Sequence, residues 1–359
     1  MKTAKLVLFL GFISIFSIKT FGQETISWNQ ALNQDPDWYE SSEAIRIADN
    51  VLVYQHETGG WPKNIDMAQR HSEADKDHIR RQLSAGSMRP TIDNDATFIQ
   101  MRYLARVYAA TGMERFRDGF LHGVDYLLEA QYENGGWPQF YPIRDGYWKR
   151  ITFNDDAMIG VMRVLRDLEN KVGPFDIIDE GRRTKISTAL NKGLDVILKT
   201  QIEVDGVLTA WCQQYDETDL TPAGARSYEH PSISGGESVG IVRYLMEIED
   251  PDPEIVSAIE HAVAWFDQVK IANTRVAVTE TDGQRDRVVV RDPDSEPIWA
   301  RFYEIGTNRP IFSGRDGVIK YNLSEIERER RTGYSWYGSW PRSLLEHEYL
   351  AWREKLAAN

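Results

Sequence analysis

Two oxygen-rich triplets hold the strongest chemical potential in this chain: Asp93-Asn94-Asp95 within "IDNDAT" and Asn154-Asp155-Asp156 within "TFNDDA". Carboxylate and amide oxygens gathered in this way suit a hard cation such as calcium better than zinc. Helix capping needs only one Asp or Asn per helix, and neither triplet has the spacing of an EF-hand loop. Arg226 is the second candidate, in the loop-like "AGARSYEHPSISGGESVG" (223–240). A lone arginine there is a surface residue, a clamp on an anion, or something less usual. Further along, "WARFYEIGTNRPIFSGRDG" (299–317) adds Arg301, Arg309 and Arg315. Together these arginines offer planar forks for carboxylates. His230, beside Pro231, reads as structural. Cys212 is the only cysteine, so no internal disulfide forms, and it reads as a small buried hydrophobe.

The arginines matter because the chain as a whole is acidic, with 55 Asp and Glu against 42 Lys and Arg and a formal charge of −13. Such a surface argues against binding nucleic acid or membranes. A polyanionic ligand is accommodated only where basic residues gather in one cleft. The first 22 residues read as a signal peptide, with Lys2 and Lys5 before an apolar run from Leu6 to Ile18. Export to the periplasm or the medium is therefore expected. No later apolar run is long enough to span a bilayer. Residues 23–359 are expected to form one domain and to act as a monomer.

The elements that position these residues come from a repeat. "LEAQYENGGWPQFYP" (128–142) echoes "YQHETGGWPKNID" (54–66). A weaker third copy runs through 198–216, matching Gln201, Glu203 and Gly206 to Gln131, Glu133 and Gly136. Downstream of each copy comes a second shared element, aligned at Ala96/Ala157, Met101/Met162 and Arg102/Arg163, and continued by Arg243 and Leu245. Ile99, Tyr103 and Val107, then Val161, Val164, Leu165 and Leu168, mark helical faces. Each unit reads as helix, Gly-rich loop, helix. The predicted fold is mainly all-α, an α/α toroid of repeated helical hairpins. Residues 272–298 interrupt it with alternating valines around Asp282-Gly283, the pattern of a small β-hairpin insertion. In the GGWP loops the glycines supply positive φ and Trp61 and Trp137 pack the next turn, with sugar stacking as the alternative for one tryptophan. The aromatic "GYSWYGSWP" (333–341) could line a glycan groove. The third copy carries no acidic triplet and presents Arg226 instead.

The motifs "GGWPKN", "IDNDAT", "TFNDDA", "ARSYEHPSISG" and "RFYEIGTNRPIFSGRDG" resemble those of the family 10 polysaccharide lyases, the pectate lyases with an α/α toroid. The similarity runs in order from about residue 38 to 345. It implies calcium-dependent β-elimination of α-1,4-polygalacturonate, giving 4,5-unsaturated oligogalacturonates. Carried over motif by motif, the resemblance implies Asp93, Asn94 and Asp155 at the calcium and substrate-carboxylate site. It implies Arg226 as the catalytic base, and Lys63, Asn94, Arg301 and Arg315 as substrate contacts. Two rival readings remain. One is a non-catalytic protein that binds pectic oligosaccharides. The other is a different toroid enzyme, since "QYENGGW" is also similar to the QW motif of terpenoid cyclases.

Overall fold

The computed structural model describes residues 26–358 except Asp282, so the expected signal peptide lies outside the described residues. The main helices alternate between two layers, and a further helix, Glu73–Ser84, packs on the first of them. One layer holds α1 (Ser42–Val53), α3 (Glu114–Glu129), α5 (Glu180–Lys199) and α7 (Pro253–Gln268). The other holds α2 (Phe98–Thr111), α4 (Ala157–Glu169) and α6 (Glu237–Met246), with a last helix, α8 (Tyr349–Ala358), entered through a π turn at Leu344–Glu348. Packing follows chain order within and between the layers, as the hairpin repeat predicts for an α/α toroid. The periodic residues land where expected: Tyr103, Val107, Val161, Val164, Leu165 and Leu168 are all buried. Cys212 is also fully buried, and that burial pushes its thiol pKa up.

The repeat is visible as repeated hydrogen bonds. Gln55 Nε2 donates to the carbonyls of Gly59 and Gly119, and Gln131 Nε2 to those of Gly135 and Ala189. Each glutamine thus ties its own loop to the next helix of its layer. Trp61 Nε1 donates to Val51 O and Trp137 Nε1 to Leu127 O, both at 2.7 Å, and both rings are fully buried. The tryptophans are therefore packing elements, and sugar stacking by either is excluded. The glycine beside each loop is obligatory. Gly59 and Gly135 have φ of 100° and 102°, and a Cβ on either would lie 2.2 Å from a backbone carbonyl of the neighbouring helix.

The third copy departs from the expected alignment after its glutamine. Gln201 Nε2 donates to Thr209 O and Ala258 O, and Trp211 Nε1 to Ile197 O. Ten positions separate Gln201 from Trp211, against six from Gln131 to Trp137. The extra residues form a two-stranded hairpin, Glu203–Val204 against Val207–Leu208, so Glu203 and Gly206 are not the counterparts of Glu133 and Gly136. A fourth anchor follows the β-hairpin insertion. Trp299 Nε1 donates to Phe266 O, and Tyr303 OH repeats the bonds of Tyr215 OH, each accepting from a backbone N–H three residues back and donating to an upstream carbonyl. The insertion itself pairs Thr274–Thr281 with Gln284–Arg291, as the alternating valines predict.

Candidate functional site

Both triplets sit at the N-terminal ends of same-layer helices, but they do not cap them. The residues preceding α2 and α4, Thr97 and Asp156, make no side-chain capping bond. Instead Asn94, Asp95, Asp155 and Asp156 all have φ between 51° and 59°. Asn and Asp tolerate this left-handed region better than other side chains. Consecutive left-handed residues turn the chain sharply before each helix and expose its oxygens on one rim. The rim is drawn together by close packing. A Cβ on Gly160 would lie 2.6 Å from Phe98, and one on Gly240 would lie 1.9 Å from Asp156 Oδ1.

The two triplets lie within electrostatic reach of each other, through Asp95, Asp155 and Asp156. Burial and then the Asp155 carboxylate raise the Asp95 pKa. The Asp156 carboxyl is likewise raised, first by burial, against the pull of Arg163, with Asp95 adding to the rise. Asp93 is buried beneath them. Its Oδ2 holds Lys63 in an ion pair and accepts from Gln139 Nε2 at 2.7 Å, while its Oδ1 has no partner. Asn94 Nδ2 donates to Asn64 Oδ1 at 3.2 Å.

A further carboxylate, Glu237, completes this end of the site, and nothing in its sequence context marks it. Glu237, in the first turn of α6, is buried and forms an ion pair with Arg301. Burial pushes its carboxyl up to about 7 despite Arg301, and Asp155 and Asp156 add to the rise. An acidic residue in a helix's first turn ordinarily reads as a surface residue favoured by the helix dipole, so only burial exposes its role. Arg301 is 13% exposed and also stands 3.9 Å from Asp155. Its backbone is fixed on both sides: its carbonyl accepts from Gly235 N and its N–H donates to Trp336 O.

From Arg301 the site continues through Tyr334 to Arg226. The Tyr334 ring lies 5.0 Å from the Arg301 guanidinium and 5.5 Å from that of Arg226. Arg226 also stacks on Tyr228 at 4.9 Å. Its Nε donates to Glu229 Oε2 at 2.7 Å and its Nη2 to Oε1. Burial disfavours the charged guanidinium of Arg226, but the bonds and charge of Glu229 outweigh it and raise the pKa. Arg315 comes to the same side, its carbonyl accepting from Ser227 Oγ at 3.3 Å, with its guanidinium paired to Glu329. Arg309 stacks instead on Tyr321 at 3.6 Å. His230 bonds Ser313 Oγ, in keeping with a structural role.

The aromatic stretch divides. Trp336 is buried in a second small core with Tyr228, Phe302, Ile311 and Phe312. Tyr334 faces the arginines, and Trp340 joins Asp155, Glu237 and Arg301 around a recess of about 280 Å³. A second recess of about 360 Å³ is lined by Lys63, Asn64, Asn94 and Asp95. A larger cavity of about 700 Å³ lies beside Arg106, Ala109 and Ala110 of the C-terminal half of α2, away from this chemistry.

Residues 55–345 match the family model described as pectic acid lyase. No curated protein gives a match. Among solved structures, the chain is similar to a family 10 polysaccharide lyase from Cellvibrio cellulosa. That similarity is 35% identity and a TM-score of 0.75 over 88% of this chain and 95% of the other. A D189A mutant of a family 10 polysaccharide lyase from the same organism, in complex with trigalacturonic acid, matches with the same figures. With the fold, the rim of carboxylates and the row of arginines all in place, this chain belongs to the pectic acid lyase family.

Proposed function

We propose that the chain cleaves α-1,4-linked polygalacturonate by calcium-dependent β-elimination. The observation that carries this reading is the continuous path Asp155–Arg301–Tyr334–Arg226, which sets an acidic pole beside cationic forks in one cleft. Polygalacturonate carries a carboxylate on every sugar, so an otherwise acidic protein needs such a local reversal of charge to hold it.

The acidic pole fits a hard cation. Asp93 Oδ1 is a buried acceptor without a partner, and the Asp95 carboxyl is raised by burial and then by Asp155, so oxygens short of positive charge gather here. Among the described residues no group of three or more Asp, Glu, His or Cys side chains could hold a metal alone. Calcium takes about 6–8 oxygens, so uronate carboxylates would supply the remainder. Asn94 and Asp155 would be the exposed protein donors. Asp93 would lie at the base of the site, where it fixes Lys63. Calcium, when bound, draws charge from the uronate carboxylate and acidifies the adjacent C5–H.

The chain's own residues supply the rest. Arg301, Arg315 and Lys63 would hold substrate carboxylates and orient the sugar. Arg226 would take the C5 hydrogen as a proton. The electron pair left behind forms the C4=C5 bond, and the C4–O bond breaks with its pair on the glycosidic oxygen, which is protonated by water. A polymer of this size must be met outside the cell, and the basic-then-apolar start of the chain supports export.

Incubation with polygalacturonate and calcium tests the proposal. Absorbance from unsaturated ends should rise, and a chelator should abolish the rise. Reducing sugar without that chromophore would indicate a hydrolase, and binding without cleavage a carbohydrate-binding protein.

A further inference from the structure

We propose that Glu229 is the positioning residue of the base: it grips one edge of the Arg226 guanidinium and leaves Nη1 as the nitrogen offered to the substrate. The inference rests on the reading of Arg226 as the base. Glu229 is only 3% exposed, whereas Arg226 is 44% exposed. A long side chain that open would otherwise sample many rotamers. Here it is held at three points. Its backbone N–H and its Nε both donate to Glu229 Oε2, at 3.1 and 2.7 Å, and its Nη2 donates to Oε1. Tyr334 OH occupies Oε1 as well, at 2.8 Å, so the carboxylate itself is pinned from 105 positions away. The backbone closes the same turn: Glu229 N–H donates to Arg226 O at 2.8 Å and Ala225 N–H to Glu229 O at 3.0 Å.

The grip has a consequence for protonation. Arg226 is faced by Glu229, by Tyr228 and Tyr334, by Tyr147, and by the cation Arg330. Glu229 is the carboxylate in bonding contact, and it favours the charged guanidinium. Aim is therefore gained at the expense of readiness. The base points correctly, but the pH at which it becomes neutral is higher than without Glu229. A residue with a purely structural role would not move that pH.

The test is a pair of substitutions read by pH–rate profiles on polygalacturonate with calcium, beside calorimetric titration with trigalacturonate. Glu229→Gln keeps the shape and removes the charge. The rising limb of kcat should move at least about one pH unit toward neutral, with the plateau falling about tenfold or more. Glu229→Asp keeps the charge and withdraws it by about 1 Å. Its limb should stay in place while kcat falls about 10²-fold with trigalacturonate affinity retained. If Glu229→Gln does not fold, Tyr334→Phe replaces it. Losing the phenol leaves the carboxylate a stronger partner for Arg226, and the limb should move to higher pH. Profiles with an unmoved limb in Glu229→Gln, or in Tyr334→Phe in its place, overturn the inference. Arg226→Ala separates the two ideas. If it retains kcat, the base reading fails. If it is inactive while the Glu229 profiles match wild type, only this inference fails.

Discussion

Replacing Arg226 by alanine separates chemistry from binding and from folding, because the structure gives each a different size. Its partner Glu229 is buried, and breaking a buried pair costs about 3–5 kcal/mol. Arg226 is 44% exposed, so solvent screens the pair, and Tyr334 OH still serves the carboxylate afterwards. The stability loss should be about 1–2 kcal/mol. In a chain of 359 residues this lowers Tm by a few degrees, at about 2–4 °C per kcal/mol or less. The catalytic loss should be far larger: a missing acid–base group slows turnover by about 10³-fold or more, or about 4 kcal/mol of barrier. Affinity for trigalacturonate should stay near normal, since Arg301, Arg315 and Lys63 remain. Arg226→Lys should not rescue turnover. The guanidinium spends Nε and Nη2 on Glu229 and keeps Nη1, whereas lysine has a single nitrogen for both tasks. The assay pairs single-turnover rates with calorimetry, across a pH range in which wild-type activity should climb well into the alkaline region. If affinity collapses while kcat holds, Arg226 is a clamp and the reasoning is wrong.

Other perturbations test other parts of the site. Arg301→Ala and Arg315→Ala should both raise KM for polygalacturonate, yet differ in stability. Arg315 is 65% exposed and its pair with Glu329 is screened by solvent, so its loss should leave Tm nearly unchanged, whereas Arg301→Ala leaves Glu237 buried without its cation. A carboxyl raised to about 7 in the fold stabilises below its unfolded value and loses that contribution as pH rises through 7. The Tm deficit of Arg301→Ala should therefore deepen on the alkaline side, and a flat difference across pH would refute the pairing. Asp155→Asn should nearly abolish turnover at ordinary calcium while changing Tm little, because this residue caps no helix and asparagine keeps its left-handed backbone; wild-type activity would remove it from the proposed metal site. Trp137→Phe should destabilise by about 1–3 kcal/mol, through the lost bond to the buried Leu127 carbonyl, with kcat and KM unchanged. A raised KM would mean that the ring's role extends beyond packing.

How much of this could be read in the chain depends on which interactions are local. The helical faces, the loop glycines and the Gln and Trp anchors recur at nearly fixed spacing, because each hairpin buries its apolar stripe in the same way. The acidic triplets and Arg226 were legible for the same reason, being short runs whose residue types limit their chemistry. The fourth anchor at Trp299 was missed because the β-hairpin separates it from its helix, although the Trp-to-Tyr spacing of Trp211 and Tyr215 recurs at Trp299 and Tyr303. Glu203 and Gly206 were misaligned because an added turn leaves no mark on periodicity.

The repeated architecture, the family resemblance and the residue types available to the site are all legible along the chain. How those residues are paired depends on the folded arrangement. It set Asp93 under Lys63, placed Asp95 in the field of Asp155, buried Glu237 against Arg301, and brought Tyr334 to a carboxylate 105 residues away. Charge interactions depend on distance and on the water left between the groups. Neither quantity is encoded in spacing along the chain; both are set when the helical hairpins close around one rim.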